Sequence, residues 1–446
     1  MSVKFSSPHL DVVRVVALLG ASAAFALGYL IAFEDAALNI GNVHADWDYL
    51  IAMLWALILM LVISILPMSS RHKKALVFLW VVRVGVALGF MLFYEAHYGL
   101  DAYAYFRVGT SDPEAWRDMA FGAGTANMIG LASLHNMLIP DSYHAMKLTW
   151  SAIGLMAMFF FYRSACLLFG RANIRLLYVL GLFPSLLFWS SILGKDPITL
   201  LGISLFVYGV LGYHRLRNSR YLLYALCGLA LAAWIRVWLG MIFLIPIGIF
   251  FVMGRGMAVR KLLLAVVAVP ALVLSLSLFA ERFQVETSRE LVQQTDTVSQ
   301  GWARGGSGQA IEGGFDSVGS MVKFMPAGAF TALFRPLPGE VLNAFGLLAS
   351  AENALILGVL IWAIFTGRWR RLKSPEAAWL VLTVLVWACV YGFVSYQNLG
   401  SAFRFKAQIM PLMILIGCIL LESRQSARVT AYRKPAAQPP QWLETR

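Results

Sequence analysis

Four stretches of the chain set ionisable side chains beside aromatic ones at the ends of apolar runs, and each suggests a chemistry. In Gly99-Leu100-Asp101-Ala102-Tyr103-Ala104-Tyr105-Phe106-Arg107, Asp101 follows a long apolar run with Tyr103 and Tyr105 next to it. A carboxylate held at a membrane boundary by aromatics has its pKa raised by burial and could act as general base on a sugar hydroxyl; a helix cap or a solvated loop acid is the plainer reading. In the stretch from Phe183 to Pro197, Pro184, Trp189 and Ser190 lead into the tight turn Gly194-Lys195-Asp196-Pro197. So short a hairpin puts Lys195 and Asp196 at the membrane surface, where the ammonium could meet a phosphate or simply pair with its neighbour. In Ala233-Trp234-Ile235-Arg236-Val237-Trp238, Arg236 separates two apolar runs with almost no polar loop. A guanidinium so placed needs an anionic partner, either a protein carboxylate or a lipid-linked phosphate. In the fourth, Arg404 and Lys406 end the segment Gln397–Lys406, shortly before Pro411.

Arg335-Pro336-Leu337-Pro338-Gly339-Glu340 adds a further cation. Arg236, Arg335, Arg404, Lys195 and Lys406 against few carboxylates suit a diphosphate, because guanidinium forks bind phosphate oxygens bidentately without a metal. His97, His135 and His144 are alternative proton acceptors, though plain loop histidines are common. No paired carboxylates or histidine cluster at ligand spacing appear, so no cofactor or metal is expected, and a single Asp holding a divalent ion stays open.

These residues must be positioned by a membrane-embedded scaffold. Of the 446 residues 60% are apolar and 13% charged, whereas a soluble domain carries about 45–50% and about 25%. Mean hydropathy is +0.72. The apolar residues fall in runs of about 17–23, the length a helix needs to cross hydrocarbon. Candidate spans cover 12–33, 49–67, 75–94, 148–169, 176–193, 197–213, 221–235, 237–253, 262–280, 350–367, 377–394 and 407–421. The fold expected is therefore all-α, a polytopic membrane protein of about twelve transmembrane helices.

The net charge of +13 would suggest nucleic acid in a soluble protein, but here the basic residues cluster in alternate connections. Arg71-His72-Lys73-Lys74, Arg171 with Arg175, Arg215 with Arg217 and Arg220, Arg255 with Arg260 and Lys261, and Arg368 to Lys373 each separate two apolar runs. The positive-inside rule then puts both termini in the cytoplasm and excludes nucleic acid as a partner. Two long polar loops, 95–147 and 281–349, lie on the opposite face with Lys195 and Asp196. Arg404 and Lys406 fall on that face too, against the rule. Mobility is expected around Gly301–Gly319, with an interfacial or re-entrant helix after it, and Phe121–Ile139 is too polar to span. The run at 12–33 reads as a retained span rather than a signal peptide. Residues 1–423 make the membrane domain, and 424–446 a flexible basic cytoplasmic tail. Cys166, Cys227, Cys389 and Cys418 lie inside apolar runs and read as packing residues.

Taken in order, these motifs resemble the integral-membrane glycosyltransferases of the GT-C type and the related Wzy-type polymerases of bacterial exopolysaccharide and O-antigen. The resemblance covers most of the chain, loosely. It rests on Asp101 with Tyr103 and Tyr105, on Pro184, Trp189, Ser190, Lys195 and Asp196, on Arg236, on Arg335-Pro336 with Pro338, and on Arg404 before Pro411. It implies a multi-pass protein of the bacterial inner membrane and a polyprenyl-phosphate-linked or polyprenyl-diphosphate-linked saccharide as partner. It also implies periplasmic chemistry, with polysaccharide export machinery as a possible associate. On that resemblance Asp101, His97 or His135 would be catalytic, and Tyr103, Tyr105, Trp189, Lys195, Asp196, Arg236, Arg335, Arg404 and Lys406 would bind substrate. Two departures matter. GT-C enzymes usually carry their acidic motif in the first outer loop, where this chain has Glu34-Asp35 and Asp46-Trp47-Asp48, so the base is open between these and Asp101. The long late loop fits a polymerase better than a single-sugar transferase. A transporter or flippase of lipid-linked sugars and a non-catalytic assembly subunit are the rival readings.

Overall fold

The structure is a computed structural model that describes residues 45–97, 101–253, 258–303, 314–341 and 344–422. The expected span at 12–33, Glu34-Asp35, much of the glycine-rich stretch and the tail after Ser423 lie outside the described residues, as does the side chain of His97. Among the described residues the chain is helical throughout, with no strand. Six helices are long and apolar enough to cross a membrane: Trp47–Ile65, Tyr143–Phe169, Lys195–Leu216, Lys261–Phe283, Gly346–Phe365 and Pro375–Ser395. A seventh is added if the pair Leu399–Lys406 and Met410–Leu421, bent by 66°, counts as one. Several long apolar helices in one chain make it a polytopic membrane protein.

The remaining expected spans are shortened or interrupted, for local reasons. The run at 176–193 stops at Leu182 and restarts as Pro184–Trp189, because a residue before proline is pushed out of the helical region. The runs at 221–235 and 237–253 are the shorter helices Arg220–Ile235 and Trp238–Phe250, divided at Arg236, whose backbone is extended. The run at 75–94 belongs to Ser70–Gly85, a π-helical turn at Val86–Phe90 and Met91–His97. A π-turn disturbs the backbone ladder, and the Tyr49 hydroxyl donates to the Leu88 carbonyl there at 3.1 Å.

Two compact units divide the described residues. One holds those up to Phe159 with Asn173–Leu201; the other holds Phe160–Ala172 and those from Gly202 on. In the first unit Trp80 donates to the Ala56 carbonyl at 3.0 Å, and Gly154 lies so close to Ser190 that a Cβ would meet the Ser190 carbonyl. In the second, Gly202 and Gly209 face Gly228 and Ala225 across two helices at backbone contact. This is the small-residue packing that membrane helices use in place of a hydrophobic drive.

Within the second unit the basic connections gather at one end. Arg215 donates to the Leu168 carbonyl at 3.2 Å and pairs with Glu376 at 2.7 Å. Arg368 and Arg371 donate to the Leu420 carbonyl, and Arg171 reaches Glu422 at 3.3 Å. Two connections with positive charge, at Arg171 and at Arg368 with Arg371, thus meet the end of the last helix.

Candidate functional site

In the first unit, Asp101 opens the helix Asp101–Ser111 and is exposed, accepting from the Tyr105 hydroxyl at 3.3 Å. The aromatic enclosure expected for it is thus limited to one tyrosine of the next turn. Tyr105 is buried, and the Lys195 ammonium stands 5.9 Å from its ring centroid while donating to Thr125 Oγ1 at 2.8 Å. Tyr105 therefore touches both Asp101, one turn away, and Lys195, far along the chain. Asp196 is buried in the first turn of Lys195–Leu216, where a carboxylate meets the positive end of the helix dipole. Trp189 is buried with its ring edge against Phe188 and Tyr94, which makes it part of the packing.

Tyr103 leads to a cluster that the sequence did not single out. Its ring stands edge-on to Tyr143 at 5.4 Å, and the Tyr143 hydroxyl donates to Glu95 Oε1 at 2.9 Å. Lys147 donates to the other oxygen, Glu95 Oε2, at 2.9 Å. Beside it Asp48 accepts from Ser142 Oγ at 2.5 Å and from the His144 backbone N–H at 3.2 Å, with His144 Nε2 at 3.9 Å. Asp48, His144 and Lys147 are all fully buried. Charged groups at such depth persist only when paired and hydrogen-bonded. The sequence named His144 as a proton acceptor, while Glu95 and Lys147 were marked only by their position at the ends of apolar runs. Asp48 also belongs to the first-loop acidic group that the resemblance left open.

His135 lies on Gly124–Leu138, the helix formed where 121–139 was judged too polar to span. Its Nε2 meets Thr149 Oγ1 at 2.8 Å, and Trp55 Nε1 donates to the same oxygen at 2.8 Å. Thr149 passes its own proton to the Ala145 carbonyl at 3.3 Å, so Nε2 carries the hydrogen and Nδ1 faces no partner. Burial holds the ring neutral, pulling its pKa down to about 4.

Arg83 was also missed. It is wholly buried on Ser70–Gly85, and its guanidinium donates to the Ser190 carbonyl at 3.1 Å, Ser190 Oγ at 2.8 Å and Ser191 Oγ at 3.2 Å. All three oxygens are neutral. They lie where the short helix Pro184–Trp189 ends, so the cation meets one carbonyl and two hydroxyls at that break.

The second unit holds the other cations. Asn398 caps the helix Leu399–Lys406 by accepting from Ser401 N at 2.9 Å, and donates to the Trp302 carbonyl at 3.0 Å. The helix stops at Lys406, and Pro411 starts the next one across the bend. Phe405 packs under the buried Arg236, whose guanidinium carbon stands 4.7 Å from the ring centroid. Lys406 is fully buried and donates to Asn353 Oδ1, and Asn353 Nδ2 donates to the Pro336 carbonyl at 2.9 Å. Arg335, before the cis peptide to Pro336, pairs with Glu340 at 2.7 Å. A chain of contacts thus runs from Arg236 through Phe405, Lys406 and Asn353 to the Arg335-Pro336 segment. Arg404 is half-buried on the same short helix.

The expected base residues therefore lie in one unit with Tyr103, Tyr105, Trp189, Lys195 and Asp196, and the arginines in the other with Lys406. Among the described residues no three His, Cys, Asp or Glu side chains gather as metal ligands. No protein-family profile matches this chain, and neither a curated protein nor a solved structure does.

Proposed function

We propose that the protein is a membrane glycosyltransferase or polymerase acting on polyprenyl-phosphate-linked or polyprenyl-diphosphate-linked sugars. It works at the periplasmic face of a bacterial inner membrane, in exopolysaccharide or O-antigen assembly. The observation that carries this reading is the chain Arg236–Phe405–Lys406–Asn353–Pro336, which draws cations from three distant segments to one bend between two helices. A bend of that kind opens backbone polar groups at membrane depth, tolerated where it faces a cavity or a ligand. In the proposed mechanism the lipid tail enters laterally. Arg236, Arg404 and Arg335 neutralise the charge that develops on the departing phosphate oxygen as the sugar–oxygen bond breaks. The acceptor hydroxyl gives its proton to a carboxylate, for which Asp101 and Asp48 are the candidates tested below. The reading includes about twelve spans with both termini in the cytoplasm.

The test is the lipid-linked glycan profile of cells lacking the gene, complemented by wild type, Asp101→Asn, Asp48→Asn or Arg236→Ala. Accumulation of single lipid-linked repeat units with loss of long polymer supports a polymerase. Loss of one sugar from an otherwise normal glycan supports a single-sugar transferase, and an unchanged profile in the null strain removes both.

The 66° bend between Leu399–Lys406 and Met410–Leu421 also favours a second reading, since transporters of charged substrates use broken helices at their binding sites. Purified protein in liposomes that moves a lipid-linked sugar across the bilayer without forming a glycosidic bond would establish it.

A further inference from the structure

At the basic end of the second unit the helices leave an apolar cleft. Its walls include Phe206 and Val210 of Lys195–Leu216, Leu229 of Arg220–Ile235, Phe250, and Leu264 and Ala268 of Lys261–Phe283. Lys261–Phe283 is apolar and almost wholly unburied, so one wall is a lipid-facing helix and the cleft opens toward hydrocarbon. The cavity volume is about 60 Å³, room for a few groups of water or methylene size at about 10–15 Å³ each, and so for part of an acyl chain.

The mouth of the cleft is cationic. Lys261 precedes Leu264 by three residues and shares its helix face. Arg217 and Arg220, both exposed, lie in the connection between two other wall helices. Arg215 and His214 are already engaged by Glu376, at 2.7 Å and 3.2 Å, so that carboxylate is matched and the exposed Arg217 and Arg220 set the sign of the rim.

We propose that this cleft is a phospholipid site, holding part of one acyl chain of an anionic diacyl phospholipid whose headgroup phosphate meets Arg217 and Arg220, with Lys261 adding to the positive charge of the mouth. Apolar walls select a chain, and the cationic rim selects a negative headgroup over a zwitterionic one. The site is separate from the bend at Lys406 and does not depend on the reaction proposed there.

The experiment is native mass spectrometry of the purified full-length chain incubated with equimolar phosphatidylglycerol and phosphatidylethanolamine. Wild type retains phosphatidylglycerol in at least several-fold excess. Ala268→Phe, which fills the cleft, loses the retained lipid. The triple variant Arg217→Gln/Arg220→Gln/Lys261→Gln, in which only charge is removed, retains the two lipids equally. Equal retention by wild type, or an undiminished preference in either variant, overturns the proposal, as does displacement of phosphatidylglycerol by an equimolar polyprenyl phosphate. If Ala268→Phe does not fold, the triple variant decides alone.

Discussion

Lys147 Nζ and Glu95 Oε2 meet at 2.9 Å, with the lysine side chain fully buried and the glutamate nearly so. Removing one partner of a buried pair leaves an uncompensated charge, typically at a cost of about 3–5 kcal/mol, whereas replacing both with neutral groups is often harmless. Lys147→Met alone is therefore expected to lower the melting temperature sharply. Lys147→Met with Glu95→Gln, which still accepts from Tyr143, recovers most of it. Thermal unfolding of the detergent-purified variants measures the difference, and equal losses in the single and double variants would show that the pair is not coupled.

His135 makes stability depend on pH. Its pKa falls from about 6.5 in the unfolded chain to about 4 in the fold. Because the folded value is depressed, the stabilising contribution is whole above about pH 6.5. It is lost progressively as pH falls toward 4, where the unfolded chain binds the proton more readily. The full loss is about 3 kcal/mol. His135→Gln keeps a donor toward Thr149 and does not titrate. Melting curves between pH 7 and pH 4.5 should show a steeper fall in wild type than in His135→Gln, and parallel curves would remove the account.

Gly328 and Gly392 bring two helices into backbone contact. A Cβ on Gly392 would lie 2.6 Å from the Gly328 carbonyl carbon, whereas one on Gly328 would lie 2.7 Å from the tip of the Phe324 ring and 3.3 Å from Gly392. Backbone cannot yield as a ring can, so Gly392→Ala should cost more stability than Gly328→Ala. Comparing their melting temperatures with wild type tests the order, and the reverse order counts against this packing.

Several of the membrane helices were legible in the sequence, because apolar run length is a local signal. The spans at 148–169, 197–213, 262–280, 350–367 and 377–394 each correspond to a long apolar helix, and the division at Arg236 showed as a lone charge between runs. Pairing was not legible. Glu95 and Lys147 are 52 residues apart, and Arg83 finds its serine partners 107 and 108 residues on. A single charge in an apolar run carries no mark of what will face it. The enclosure expected for Asp101 came from neighbouring tyrosines, yet only Tyr105 turns toward the carboxylate, since helical spacing of four places it there while Tyr103 packs on Tyr143.

Arg83 should be sensitive to shape as well as charge. Its planar fork serves Ser190 and Ser191 at once, a geometry that a lysine ammonium cannot reproduce. Arg83→Lys is expected to be clearly destabilised, and Ser191→Ala, which removes one hydrogen bond to a charged group, to lose about 1.5–3 kcal/mol. Folded yield and melting temperature report both, and a fully stable Arg83→Lys would mean that the capping geometry is unimportant.

Phe405 offers the sharpest test of the proposed phosphate clamp, because it orients Arg236 without carrying charge. The guanidinium lies 4.7 Å from the Phe405 ring centroid, an interaction of about 0.5–2 kcal/mol depending on how far it is desolvated. Phe405→Leu keeps the apolar contact and removes the ring's negative face. If Arg236 holds the leaving phosphate, this change slows polymer formation by up to roughly thirtyfold, following from about 1.4 kcal/mol per factor of ten. Arg236→Met abolishes polymer formation, and Arg236→Lys retains part of it. The readout is the rate of long-chain polymer formation in membranes with protein level held equal. A Phe405→Leu rate equal to wild type alongside an inactive Arg236→Met would detach orientation from the clamp, and full activity in Arg236→Met would remove the clamp itself.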